Sequence, residues 1–272
     1  MQLFKRFFGL ISKQKKLETA QLRKWNLILA FLYAVQGIVI LIVGNAYNLS
    51  VTTNYLAVDP LESQTAGHQV MAAATHHLFD VNLVYLLAAV LFVSAIIHLL
   101  VATTYNASYE AGINKGINQF RWGEYAFSAS MMIVITALLV GIYDFSTLLM
   151  LFGLTVMVSL LGLIGELHNN KRKQTKNYLI NAISTMAAVI PWMVIVIYIT
   201  SSGIYGNRLP TFVYWLVGSM FVLAAGFIVN IRLQQCRYSQ WSDYLYGERV
   251  YMVLSLIAKT ALTWQIFAGV LH

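Results

Sequence analysis

Charge is scarce in this chain. Of its 272 residues only 10% are Asp, Glu, Lys or Arg, whereas a soluble domain carries roughly 25%. Acid is scarcer than base, ten residues against eighteen, which leaves a formal net charge of +8. The single cysteine, Cys236, excludes an internal disulfide and a cysteine-based metal cluster. Of three prolines only Pro191 falls inside a long apolar stretch, so the remaining stretches are free to run as unbroken helix. Ten-residue alternating segments of the barrel type are missing. So are a phosphate-binding glycine loop, a hydrolase elbow and a zinc-protease histidine pair, and no enzymatic activity is expected. Neither an internal repeat nor a low-complexity tract is found, which argues against an inverted-repeat transporter.

What the chain has in abundance is apolar residues, 59% of the total, gathered into blocks long enough to cross a bilayer. A hydrocarbon core of ~30 Å needs about 20 residues of helix. Seven such blocks are read: Trp25 to Ala46, His77 to Thr104, Ile117 to Ile142, Ser146 to Leu167, Tyr178 to Ser201, Thr211 to Cys236 and Gly247 to Leu271. Lipid offers no hydrogen bonds, so each block must satisfy its own backbone, as a helix does. The expected fold class is an all-α membrane protein, a seven-transmembrane-helix bundle. Residues 1–24 form a basic N-terminal segment, and 25–272 a single seven-helix domain with a long connection at about 47–75.

The positions of Lys and Arg give the orientation. Lys5, Arg6, Lys13, Lys15, Lys16, Arg23 and Lys24 precede the first block. Lys115 lies between the second and third; Lys171, Arg172, Lys173 and Lys176 between the fourth and fifth; Arg232, Arg237 and Arg249 around the sixth-to-seventh connection. The other side holds only Arg208. The N-terminus is therefore expected in the cytoplasm and the C-terminus, His272, outside. The apolar stretch Phe7 to Ser12 is too short and interrupted for a signal peptide. Leu3, Phe4, Phe7, Phe8 and Ile11 among basic residues read instead as an amphipathic segment on the inner leaflet. Charge placed in this way points to anionic lipid and not to nucleic acid.

Ionisable groups within a span are costly and are candidate functional groups. Lys259, near the middle of the seventh span, is the only lysine in any span. It is either paired with a carboxylate to hold helices together, or a desolvated amine able to condense with a carbonyl. Arg121, Glu124, Tyr125 and Ser128 share one face of the third span at spacings of three and four. Glu124 is the only carboxylate there and is the candidate counterion, with Arg121 expected beside it as a supporting positive charge. The alternative is a local Arg–Glu pair near the inner interface. Ser255 is one turn before Lys259; Ser94 and His98 stand one turn apart on the second span; Tyr33 and Gln36 lie on the first. Glu166 and Glu248 sit near inner helix ends, where a structural hydrogen-bonding role is equally open. Trp192, which follows Pro191, and Trp264 are too central for an interfacial belt and could wall a cavity for a flat polyene. His76, His77 and Asp80 lack a further ligand of clear spacing and are read as an interfacial polar patch, with no metal site expected.

Several of these stretches resemble the heliorhodopsins. Arg121-Trp122-Gly123-Glu124-Tyr125, followed by Ser128 and Ser130, resembles their third helix. Tyr246-Gly247-Glu248-Arg249-Val250-Tyr251, Ser255, Ala258-Lys259 and Trp264-Gln265-Ile266-Phe267 are similar to their seventh. Pro191-Trp192, Ser94, His98, Gln36 and Glu166 also fit, and the inverted orientation is that family's mark. The resemblance implies all-trans retinal bound as a Schiff base to Lys259, Glu124 as counterion, and a polar, water-containing cavity on the cytoplasmic side involving Ser94, His98 and Ser255. It further implies a homodimer with the long outer loop near its interface. Tyr33 departs from the family, where a histidine stands, which moves proton acceptance towards His98 or water.

The functional expectation is a light receptor: photoisomerisation, Schiff-base deprotonation and slow recovery. In proton-pumping rhodopsins a carboxylate donor lies eleven residues after the counterion; Ile135 occupies that place here. A photosensory role, with an unidentified cytoplasmic signalling partner, is therefore favoured over pumping. A light-gated or light-driven ion conductor, and a chromophore-free transporter using Lys259 and Glu124 as a buried ion pair, remain open.

Overall fold

The computed structural model describes residues 2–171, 178–206 and 208–272, with side chains from residue 20 onward apart from 169–171, 178 and 181. Among the described residues, seven helices are long and apolar enough to cross a membrane. They are α1 (Gln2–Val43), α3 (Leu83–Ala102), α5 (Gln119–Leu139), α6 (Phe145–Lys171), α7 (Tyr178–Tyr205), α8 (Thr211–Cys236) and α9 (Tyr244–Ile266). The last continues into a wider π-helical turn, Phe267–Leu271. Two short helices, α2 (Pro60–Ala66) and α4 (Asn106–Asn114), lie in connections. Along α1 the buried residues Leu22, Leu29, Tyr33 and Ile40 recur on one stripe, while Phe31, Ile38 and Ile42 face outward. Lipid is as apolar as leucine, so outward-facing apolar residues are the normal state of such a helix, and close packing selects the inward stripe.

The N-terminal segment and the first span form one continuous helix. The amphipathic reading of residues 1–19 rests on side chains outside the described residues, as does the basic connection Lys171, Arg172, Lys173 and Lys176.

Two expectations are corrected by the fold. The chain is mostly helical, not all-α: the long connection is a two-stranded antiparallel hairpin, β1 (Asn48–Asp59) and β2 (Val70–Asn82), carrying α2 at its tip. The residues His77 to Asn82, assigned to the second span, are the end of β2; the helix begins at Leu83, where the Asn82 side chain accepts from Val84 N at 3.0 Å. Runs such as Val51-Thr52-Thr53 have the β-branched character that favours pleated backbone. At the tip, the Asp59 carboxylate accepts from Leu61 N and Glu62 N, Pro60 opens α2, and Gly67 closes it at φ +70°.

The base of the hairpin is pinned to the bundle. Leu49 and Val51 are buried, Thr52 N donates to Tyr143 O at 2.9 Å, and Asn54 N donates to Asp144 Oδ1 at 3.2 Å. The same Asp144 caps α6 through Thr147 N and Thr147 Oγ1, both at 2.8 Å. Those hydrogen bonds hold its carboxyl below the usual aspartate range.

Candidate functional site

The chemistry gathers where α1, α3, α5 and α9 meet. On α9 the buried residues Glu248, Tyr251, Met252, Ser255, Lys259, Leu262 and Ile266 repeat at three and four, so one stripe faces the bundle along its whole length. Its N-terminal half is polar. The same holds for α5, where Arg121, Glu124 and Ser128 give way to Ile135 and Leu138.

Lys259 and Glu124 form a salt bridge at 2.8 Å, with both side chains almost fully buried. The Lys259 Nζ also donates to Ser255 Oγ at 2.5 Å. Its remaining direction meets aromatic rings, with the Tyr33 centroid at 5.2 Å and that of Tyr125 at 5.6 Å. Ser94 Oγ lies 2.6 Å from Glu124 Oε1, and Tyr33 Oη donates to Ser255 Oγ at 3.3 Å. Each partner of the pair therefore has a neutral hydroxyl beside it. That is the condition under which a buried charge pair is tolerated.

A second polar knot lies one turn towards the N-terminal end of α5. The Arg121 guanidinium spans Glu166 of α6 and Glu248 of α9 and stacks on the Tyr251 ring at 3.9 Å. The expected placement of Arg121 beside Glu124 is thus corrected: two carboxylates on other helices outcompete one on its own. Asn118 completes the knot. Its side chain caps α5 by accepting from Arg121 N, and donates to Glu248 Oε2 at 2.7 Å; its backbone N–H donates to Glu166 Oε2 at 3.0 Å.

Between the two knots is a small cavity of about 30 Å³, with His98, Glu124 and Ser255 on one side and Asn118, Arg121 and Glu248 on the other. A site of that size holds on the order of two waters. Arg121 Nε borders it and has no hydrogen-bond partner among the described residues, so water is its natural partner; Tyr109 Oη borders it beside the Asn26 amide. On the other side of Lys259 runs a much larger cavity of about 1080 Å³. Trp122, Ser128, Met132, Pro191, Trp192 and Phe221 belong to its wall, together with Lys259 itself. Trp192 and Phe221 meet edge to face at 5.4 Å. A desolvated amine opening onto a large cavity with aromatic residues in its wall, and with a carboxylate at 2.8 Å, fits a flat apolar aldehyde that carries positive charge once joined to nitrogen.

The sequence reading brought together Lys259, Glu124, Ser255, Ser94 and Tyr33, and the structure places these in contact. His98 stacks on Tyr33 at 5.7 Å and binds Asn26. Tyr125 touches both cavities. Gln36 accepts from Trp264 Nε1 at 3.1 Å, and neither residue is among those lining the cavities. His77 and Asp80 pair at 2.9 Å on the exposed face of β2; no cluster able to hold a metal is found among the described residues. Sequence reasoning assigned no role to Asn26, Asn118 or Trp122. Asn118, an asparagine at the start of the third block, had a legible capping signal; Trp122 stood in the third-helix motif without a place in the site, and Asn26 had no signal.

This architecture is that of a rhodopsin-type seven-helix membrane protein. The transmembrane domain of the Salpingoeca rosetta rhodopsin phosphodiesterase superposes with a TM-score of 0.64 at 13% identity, covering 95% of this chain and 87% of that one. Xanthorhodopsin, a light-driven ion pump with dual chromophore, gives 0.58 at 13% identity over 92% of each chain. Thermophilic rhodopsin gives 0.56 at 11% identity over 94% and 93%. At such identities the likeness is one of fold. No curated protein sequence matches the chain. The chain belongs to the heliorhodopsin family, whose family model matches residues 22–271. Membership implies a retinal chromophore and a response to light.

Proposed function

We propose that the chain is a light receptor in which Lys259 carries all-trans retinal and Glu124 is the counterion. The observation that carries this reading is the buried 2.8 Å pair at the wall of the large cavity. Bound retinal supplies the absorption of visible light and the isomerisation. The protein's own residues hold and move the proton. At rest, Glu124 and Ser255 hold it at Lys259 Nζ, and Ser94 holds the Glu124 carboxylate in place. Trp192, Pro191 and Ser128 shape the wall. When the proton leaves Nζ, its route is inward, through Glu124 towards His98 and the small cavity. Glu166 and Glu248 anchor Arg121 as the floor of that cavity.

Outward there is no such path on α5: Ile135 is fully buried among apolar residues. That supports a sensory, non-pumping role, with the basic inner face available to an acidic signalling partner. The N-terminus is assigned to the cytoplasm, on the charge count of the connections. A homodimer is assigned with the outer hairpin near its interface, supported by exposed Tyr55, Leu56 and Met71 on its strands.

The test is an absorption spectrum of protein expressed with all-trans retinal, beside Lys259→Ala. A visible band that is absent in the variant and bleached by hydroxylamine is expected. A folded, colourless wild type would leave Lys259 and Glu124 as a structural or substrate-binding pair. Light-evoked current in a clamped membrane would move the assignment to an ion conductor.

A further inference from the structure

Asn26 stands on α1, 2% exposed, and its amide has only one satisfactory orientation. Nδ2 donates to Leu22 O at 2.9 Å, while Oδ1 lies 2.7 Å from His98 Nδ1. Turning the amide over would set Oδ1 against the Leu22 carbonyl oxygen, acceptor against acceptor. An amide oxygen can only accept, so the hydrogen in the 2.7 Å bond belongs to His98 Nδ1. In a neutral imidazole, Nε2 then keeps its lone pair. Tyr33 lies on the ring at an interplanar angle of 28°, and a ring flip would keep that stack but lose the bond to Asn26.

We infer that Asn26 is a positioning residue: it holds His98 in the Nδ1–H tautomer and so presents Nε2 as the proton-accepting atom of the small inner cavity. The inference rests on the proposed release of a proton from Lys259 Nζ. The N–H bond at Nζ breaks and the Glu124 carboxylate takes the proton. Glu124 then gives it up through cavity water to His98 Nε2, where a new N–H bond forms and the ring becomes an imidazolium. Its Nδ1–H bond to Asn26 persists, Glu124 regains its charge, and the return reverses each step. Charge is conserved throughout. The groups facing His98 are Glu124 from α5 and Lys259 from α9, Tyr33 from α1, and Tyr109 from α4 across the cavity. An Nε2–H tautomer would present a donor to this cavity and could take no proton from it without first losing one.

The experiment is nitrogen NMR of 15N-histidine-labelled protein prepared without retinal, with His98→Gln used to identify the resonances. In the wild type, His98 is expected with Nδ1 protonated and Nε2 bare. Asn26→Leu removes the acceptor and is expected to release a mixture of tautomers. Asn26→Asp keeps an acceptor and is expected to keep Nδ1 protonated. In the retinal-loaded protein, Asn26→Leu is expected to slow proton uptake on the inner side, by no more than the roughly 10²–10⁴-fold that a correctly placed proton acceptor contributes, with Asn26→Asp restoring it in part. A wild-type His98 carrying its proton on Nε2, or an unchanged tautomer in Asn26→Leu, overturns the inference. Should Asn26→Leu not fold, the wild-type spectrum alone decides. Because the tautomer is read without chromophore, a protein that binds no retinal would sink the light-receptor reading without touching this measurement.

Discussion

The Lys259 amine has three protons and, within the bundle, two oxygens close enough to take them, one on Glu124 and one on Ser255. Removing Glu124 leaves a cation in a place built for a pair, and such a break costs about 3–5 kcal/mol. Glu124→Gln is therefore expected to lower the melting temperature of retinal-free protein. Glu124→Gln with Lys259→Met, which removes both charges, is expected to recover most of the loss. Melting in detergent checks both, and equal losses in the single and double variants would show that the pair is not what holds the helices. Ser94→Ala is a smaller change because the carboxylate keeps its lysine, and an intermediate effect is expected in the same assay.

At the scale of elements, two joints can be tested. The first is Asp144, which ties β1 to α6. Its carboxyl titrates below the usual range, so its contribution is complete above the unfolded value of about 3.9 and is lost as pH falls through the lower folded value. Amide exchange at Thr52 and Asn54, corrected for intrinsic rates, is expected to quicken on that acid side. Asp144→Asn is expected to abolish the pH dependence, and Asp144→Ala to cost about 1 kcal/mol as a lost helix cap. The second joint is Gly162 on α6, where an added Cβ would stand 2.3 Å from the Trp122 ring. Gly162→Ala must move that ring, at about 1–3 kcal/mol for overpacking. Because Trp122 also walls the large cavity, a shift of the visible band should accompany the loss of stability. A neutral Gly162→Ala would mean that the Trp122 ring or the α5–α6 contact gives way at little cost.

The molecule as a whole supplies its own probe of orientation. Cys236 is the single cysteine and is exposed at the end of α8, on the side assigned to the cytoplasm. A membrane-impermeant maleimide is expected to leave it unlabelled in intact cells and to label it in inverted vesicles. The reverse pattern would overturn the charge-based assignment. The same scale explains how much could be read in advance. Seven spans were legible because lipid demands about 20 apolar residues per helix, and Lys259 and Glu124 stood out because charge in a span is rare. The hairpin was not legible: it lies between spans, where a length of chain carries no comparable constraint.

The sequence by itself determined the class of protein, the number of spans and which charged residues had to find partners, since each follows from the cost of placing polar groups in lipid. Which partner each one found was decided by tertiary structure. Arg121 and Glu124 are three residues apart on one helix, yet Arg121 binds Glu166 and Glu248, while Glu124 binds Lys259. Local spacing brings two side chains near each other, but the rotation of each helix against its neighbours decides which carboxylate lies within hydrogen-bonding reach. Asn26 is the extreme case. It is one polar residue in an apolar run, and only the approach of α3, with His98 at 2.7 Å, gives its amide oxygen a task.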